Sequence, residues 1–345
     1  MRKILSSLPP LAFAAAVVLA GVSAPAAAAD TAAFFKGKTV TMVVPAGAGG
    51  SYDLYTRILA RHFDRHIPGK PNIVVTNMPG AGGARAAGYL YNKAPRDGTW
   101  LGLVSQTAAL FQILRSEGTT YRAEELSYVG RMSSSNGVVS VWHQAPAKTL
   151  EEAKTKEIIF GSSGKGSQTY ITPTMMRNLL GYKFRVVSGY RGAAKTLLAM
   201  EQGEVHGRTG SIEVFRGTRP EWLRDRKVLI WAEIGLEKSP DLPGVPLVTD
   251  LAKTPADKEV VRLLSSYTAL GFHFGGPPAI PKDRLAALRA AYARVLSEPA
   301  FRTEAAKRGF RLQPVSWQAQ QKLAQEILAT PDATVARLKT ILGLN

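Results

Sequence analysis

Thr41-Met42-Val43-Val44-Pro45-Ala46-Gly47-Ala48-Gly49-Gly50-Ser51-Tyr52-Asp53 runs from an apolar, β-branched segment through a glycine-rich turn into a helical pattern. Residues 40–44 have the composition of a buried strand, and from Asp53 onward Leu54, Tyr55, Ile58, Leu59 and Phe63 recur at helical spacing. Between strand and helix lies backbone with almost no side chain. Glycine lets main-chain N–H groups approach a ligand closely, and a helix N-terminus behind them offers unpaired donors and the positive end of a dipole. Such a turn suits an anion, although a single glycine loop also serves as nothing more than a tight connection.

The pattern recurs. Asn77-Met78-Pro79-Gly80-Ala81-Gly82-Gly83 follows an expected strand at 72–76, and Gly161-Ser162-Ser163-Gly164-Lys165-Gly166-Ser167 follows one at 157–160. Both lead into helical patterns. In chain order the first part reads strand 39–44, helix 53–67, strand 72–76, helix 84–91, strand 100–104 and helix 107–115. Such alternation predicts a parallel sheet with helices on its faces. In open sheets of this kind ligands sit beyond the carboxyl ends of the strands. The first glycine loop, the 79–83 loop and Ser105-Gln106-Thr107 are therefore expected to border one crevice.

An extended segment, 128–142, broken by Ser133-Ser134-Ser135-Asn136-Gly137, carries the chain to a second lobe. A second series follows: strand 157–160, helix 168–180, strand 184–187, the turn Gly189-Tyr190-Arg191-Gly192, helix 193–202, then extended segments at 205–209 and 228–233. The Pro- and Asp-containing stretch 236–245 returns the chain to the first lobe. Beyond it Pro281 with Asp283, Pro299, Ser316 and Pro331 mark successive helix starts.

Length and composition agree with two lobes. The chain has 345 residues, enough for a sizeable core. Arg2 and Lys3, the apolar run 11–22 and Ala27-Ala28-Ala29 form the three parts of a secretory signal, with cleavage expected after Ala29. The apolar run falls short of the roughly 20 residues that span a bilayer. Export without any cysteine suits a bacterial periplasm, where stability comes from packing. The expected organisation is a signal peptide at 1–29, a first lobe of 30–131 plus 234–345, and a second lobe of 132–233.

The formal charge is +18, and +16 without Arg2 and Lys3. A basic chain raises nucleic-acid binding, but here the cations are interleaved with acids, and no helix-turn-helix, zinc finger or aromatic RNA-binding motif is present. A solvated basic surface that speeds capture of acidic solutes is the simpler reading.

Catalytic motifs fail one by one. A dinucleotide fingerprint beginning at Gly47 needs glycine where Tyr52 stands, and no acid follows the second strand at Thr76-Asn77. A phosphate-binding loop needs Ser or Thr where Gly166 follows Gly164-Lys165. Lys165 also breaks the hydrolase elbow that Gly161-Ser162-Ser163-Gly164 begins. His62 and His66 lie four apart on a helix without the glutamate that a zinc protease places beside the first, and read as a packed or solvated face. His143, His206 and His273 are scattered. What remains is a set of anion-favouring loops with no nucleophile, no acid–base pair and no metal cage, so binding is the economical function.

Taken together, three stretches resemble the N-terminal signature of the Bug-type substrate-binding proteins of tripartite tricarboxylate transporters. They are Val43 through Asp53 as quoted above, Val74-Val75-Thr76-Asn77-Met78-Pro79-Gly80-Ala81-Gly82-Gly83, and Pro95-Arg96-Asp97-Gly98-Thr99. Ser162-Ser163-Gly164-Lys165-Gly166-Ser167, Tyr190-Arg191-Gly192 and Leu242-Pro243-Gly244-Val245-Pro246 resemble later motifs of that family, so the resemblance runs from about Phe34 to the C-terminus. It implies an α/β, two-lobed periplasmic-binding-protein type II fold, each lobe a mainly parallel sheet flanked by helices, with the ligand cleft between lobes. It further implies a small organic carboxylate, a di- or tricarboxylate or related acid, as ligand, delivery to the integral membrane permease subunits of a tripartite transporter, no cofactor and no catalysis. The alternative from another class is a module presenting its bound carboxylate to a membrane sensor; a monomer is the default for a diffusing receptor.

By position the resemblance puts the first ligand loop on Ala46, Gly47, Ala48, Gly49, Gly50, Ser51 and Asp53. It puts the second-lobe loop on Ser162, Ser163, Lys165, Gly166 and Ser167, and adds Ser105, Gln106, Tyr190, Arg191 and Thr209 as cleft residues. Asp53 reads best as a helix cap. Three departures stand out: Ala46-Gly47-Ala48-Gly49-Gly50 replaces a Phe-Ala-Pro-Gly-Gly loop, Tyr170 replaces a histidine, and His206 replaces an acid. Lys165 adds a cation that hints at a ligand with more than one acidic group.

Overall fold

The structure, a computed structural model, describes residues 24–114 and 119–344. The charged start and the whole apolar run assigned to the signal sequence, and Arg115 at the end of an expected helix, lie outside the described residues. The first described helix, Ala24–Phe35, spans the expected cleavage point between Ala29 and Asp30.

Strand β1 (Thr39–Val44) places Val40, Met42, Val43 and Val44 in the core, which is why its sequence reads as a nearly continuous apolar run. β2 (Asn72–Asn77) and β3 (Trp100–Val104) pair with it in parallel on either side, each reached through a helix, Ser51–Phe63 and Ala84–Asn92. β4 (Ser127–Ser133) ends the first pass through this sheet. Three residues later β5 (Gly137–Trp142) opens a second sheet, followed by β6 (Ile158–Ser162), β7 (Phe184–Ser188), β8 (Gly207–Ser211) and β9 (Val228–Ile234). The chain then returns through β10 (Phe272–Gly276) and β11 (Val315–Ser316). The six-stranded sheet has the order β11-β4-β10-β3-β1-β2 and the five-stranded sheet β7-β6-β8-β5-β9.

These sheets are mixed, where the sequence pattern predicts mainly parallel ones. β10 enters between β3 and β4 and runs antiparallel to both, and β5 runs antiparallel to both β8 and β9. The cause is the lobe crossing. A parallel neighbour needs a crossover connection, usually a helix, and strands that arrive from the other sheet do not bring one. The return strand Phe272–Gly276 and the helix Pro255–Ser265, capped by Thr254 Oγ1 accepting from Asp257 N at 3.1 Å, go beyond the sequence expectation.

Aromatic stacking fixes the first glycine-loop helix to the returning strand. Tyr55, fully buried, stacks on Phe272 at 3.9 Å between centroids and on Phe310 at 4.3 Å. A second apolar cluster joins Val104 and Tyr128 of the first sheet to Val139 and Phe160 of the second. The last helix, Asp332–Leu342, lies against Gln168–Leu180 behind the second sheet, where Asn178 Nδ2 donates to Ile341 O.

His62 and His66 sit in an ion cluster between helices and both lie against Glu298. Glu304 Oε2 lies 2.8 Å from His62 Nε2, Glu304 also pairs with Arg61, and Arg308 Nε donates to its Oε1 at 3.2 Å. Glu298 meets His66 Nε2 at 2.9 Å and Arg65 at 2.9 Å. Burial works to raise the Glu304 carboxyl, but the hydrogen bonds from His62 and Arg61 outweigh it and hold the group down at about 2. A carboxyl depressed in the folded state stabilises it above the unfolded value of about 4.5 and loses that contribution as pH falls towards 2. Glu304→Gln is expected to cost about 1–2 kcal/mol at pH 7, read as a lower melting temperature, with wild type and variant converging between about pH 4.5 and 2.

Candidate functional site

The first loop is braced from behind by Asp53. Its carboxylate accepts from Gly49 N, Arg57 Nε and Asn77 Nδ2, each at 2.9 Å, and Asn77 Nδ2 also donates to Ala46 O at 2.9 Å. Asp53 is 3% exposed. Burial alone would raise its carboxyl, but Arg57, Gly49 and Asn77 outweigh burial and leave it ionised below its ordinary range. Asp53 therefore shapes the loop rather than capping the helix, whose N-cap is Gly50, and it does not face the cleft.

The second lobe builds its loop from hydroxyls. Ser162 Oγ accepts from Gly164 N at 3.1 Å, Ser163 N donates to Thr169 Oγ1 at 3.1 Å, and Ser167 Oγ donates to Gly164 O at 2.8 Å. Thr209 Oγ1 donates to Gln168 O at 3.0 Å and ties β8 to the start of the helix Gln168–Leu180.

Loops from the two lobes touch. Gly47 N donates to Arg191 O at 2.8 Å at one end of the cleft, and Thr107 Oγ1 donates to Gly166 O at 2.7 Å at the other. Between these contacts lies a cavity of about 440 Å³. Its walls include Ala46, Gly50, Ser51 and Tyr52 from the first loop, the 79–83 loop with Arg85, and Ser105 with Thr107. The second lobe supplies Ser163, Ser167, Gln168 and Thr169, then Gly189, Tyr190, Arg191, Gly192 and Ala193, and from β8 Arg208 and Ser211.

Four helix N-termini converge on this space, those of Ser51–Phe63, Ala84–Asn92, Gln168–Leu180 and Ala193–Glu201. None has a side-chain cap. Each turns the positive end of its dipole to the cavity with no side chain bonded to its first N–H groups, although Ala84 N is taken by Ala81 O in the preceding turn. The charged side chains in the wall are Arg85, Arg191 and Arg208, and no Asp or Glu is among the residues that line it. Arg85 and Arg191 are exposed at the rim, whereas Arg208 is 6% exposed. Burial pulls the Arg208 guanidinium down to about 10, which leaves it a cation at neutral pH.

Of the residues expected from the sequence, the structure brings Ala46, Gly50, Ser51, Ser105, Ser163, Ser167, Tyr190 and Arg191 to the cavity wall. Others stand behind or beside it. Gly47 and Gly166 make the interlobe contacts, Gly49 and Ser162 hold their loops, and Thr209 braces β8. Gln106 is fully buried behind the wall with its backbone N–H on Tyr52 Oη at 3.2 Å, while Ala48 and Lys165 are exposed and off the wall. The cation that stands in the cavity wall and is buried there is Arg208. The signal for Arg208 was local, a lone guanidinium in a strand otherwise made of Gly207, Thr209, Gly210 and Ser211. His206 also finds a structural explanation, its Nδ1 accepting from Ile159 N at 3.1 Å.

The model of the tripartite tricarboxylate transporter family receptor matches residues 56–339. A protein of Cupriavidus necator, described as the UPF0065 protein in gbd 5'region, is 24% identical over 345 residues, covering 93% of this chain and 96% of that protein. Among solved structures, R. palustris Rpa4515 with adipate superposes with a TM-score of 0.69 at 21% identity, covering 88% of this chain and 97% of that one. MatC from Rhodopseudomonas palustris with bound malate gives 0.66 at 23% identity, covering 88% and 99%. The fold is that of the two-lobed periplasmic binding proteins.

A β-carbon at Gly47 would lie 2.2 Å from Arg191 O, while the backbone of Gly47 itself is of a kind any residue adopts. Gly47→Ala is expected to fold normally and to hold the lobes apart, with a larger radius of gyration by small-angle scattering. An unchanged radius would mean that the two loops adapt without opening.

Proposed function

Because the chain belongs to the tripartite tricarboxylate transporter family of receptors, we propose that it binds a small organic carboxylate in the interlobe cavity and hands it to membrane permease subunits for uptake. The observation that carries this reading is the convergence of four uncapped helix N-termini on one cavity whose wall holds arginines and no acid. An occupant with negative charge satisfies those donors; a neutral one leaves a positive field unanswered.

Magnitudes support several contacts acting together. A charge at one helix N-terminus gains about 0.3–1 kcal/mol, so four give roughly 1–4 kcal/mol, while micromolar affinity requires about 8 kcal/mol. The remainder falls to direct hydrogen bonds from loop N–H groups, Ser and Thr, at about 1.5–3 kcal/mol when the acceptor is charged, and to exclusion of water by loop contact across the cleft. The carboxylates in the Rpa4515 and MatC structures, adipate and malate, match this chemistry. The reading extends to an exported protein, with lobes divided at 132 and 234 and a mature N-terminus at Asp30.

Thermal-shift measurement against organic acids, with the corresponding neutral amides and phosphorylated compounds as controls, tests it. At 100 times its Kd a ligand specific for the native state adds about 2.7 kcal/mol, which raises the melting temperature by roughly 5 °C or more. One or a few carboxylates are expected to do so and to be recovered unchanged. A response to amides or phosphorylated compounds alone, or consumption of the acid, would overturn the proposal. N-terminal sequencing of protein recovered from the periplasm of the producing bacterium is expected to begin at Asp30.

A further inference from the structure

Among the described residues the Arg208 guanidinium has no ion-pair partner. Nε and Nη1 are buried without a hydrogen-bond acceptor, and no ion pair reaches the guanidinium from the described residues. A buried charge left in this way costs several kcal/mol, and folded proteins rarely keep one without a use. The fold nevertheless makes room for it. Gly210, two residues on and so on the same face of β8, has φ of +142°, and a β-carbon there would lie 2.6 Å from Arg208 Nη2. The missing side chain at Gly210 is the notch in which the guanidinium rests. From it the arm extends towards Ser211 and the carboxyl end of β8, where the cavity lies.

The cavity therefore contains two distinct places for negative charge. One is the ring of helix N-termini, which is made of backbone dipoles; the other is a full cation with a planar fork of donors on a strand. Arg85 and Arg191 stand in solvent at the rim, where screening weakens them, so the buried fork is the charge that a ligand must answer. A guanidinium pairs bidentately with a carboxylate in a way that no dipole reproduces.

Resting on the function proposed above, we propose that Arg208 is the residue that sets the charge requirement, so that this receptor takes an organic acid with two carboxylates, one on the helix N-termini and one on Arg208. The pairing also offsets the cost of keeping Arg208 buried, which makes the empty protein less stable than its packing allows.

Two variants of the full protein test this after exhaustive dialysis. Without any added acid, Arg208→Met keeps most of the side-chain volume and removes the charge, and is expected to melt about 2–4 °C above wild type. A lower melting point would overturn the proposal, because it would make the guanidinium part of the fold. With malate, succinate and adipate, each beside its monoamide, wild type is expected to bind at least one diacid at least 30-fold more tightly than the monoamide. Arg208→Met is expected to lose that preference, and Arg208→Lys, a point charge without the fork, to retain only part of it. Equal binding of diacid and monoamide by wild type, or an undiminished preference in Arg208→Met, would overturn the role of Arg208 while leaving carboxylate binding intact. Failure of every carboxylate beside a response to neutral or phosphorylated compounds would overturn the function itself, and the ligand-free comparison would still decide whether Arg208 is a spare charge.

Discussion

At three glycines where the two lobes meet, no side chain fits. A β-carbon at Gly82 would lie 2.3 Å from Ser167 N, one at Gly166 2.7 Å from Ala81 O, and one at Gly47 2.2 Å from Arg191 O. Backbone therefore comes against backbone at both ends of the cleft, with the Thr107 hydroxyl bridging to Gly166 O at one of them. This steric limit sets how closely the lobes approach, and with it the size of the cavity and the direction of the N–H groups around it. The same glycines that leave donors open to a ligand also let the cleft shut over it.

Behind those loops each lobe carries rigid support of a different kind. In the first, one ionised carboxylate, Asp53, gathers Gly49, Arg57 and Asn77 and so ties loop, helix and neighbouring strand together. In the second, a chain of hydroxyls on Ser162, Ser167 and Thr169 holds the turn. Neither arrangement places a negative charge in the cavity. The positive potential there is consequently a property of what has been left out, acids and caps, as much as of the arginines present.

Much of the fold was legible because period and punctuation agree with burial. β1, β3 and the helix Gln168–Leu180 occur with the boundaries that the pattern predicts, and the helix Trp317–Leu328 begins where Ser316 marks its start. What escaped is set by contacts distant in sequence. Phe272–Gly276 is too short and glycine-rich to announce itself, and becomes a strand because β3 and β4 flank it. The wall of the site was readable as loops, since glycine, serine and a following helix form a local signal. The fate of single residues was not: Asp53 and Thr209 turn inward to brace and Lys165 turns out to solvent, while Arg208 comes to the wall from mid-strand. Side-chain direction depends on the partner across the gap, which the sequence alone does not specify.

The position of β10 also governs the order in which the chain can assemble. Until Phe272–Gly276 has been made, β3 and β4 of the first lobe lack the neighbour that joins them, although both have long since been synthesised. The second lobe lies wholly within that interval, so its strands are complete before the first sheet can close. Contacts of such long range slow folding, because a large loop must be ordered before its ends are rewarded. A chain built this way stays open until about its last fifth arrives, and an open chain is the form in which a polypeptide threads through a narrow translocation channel.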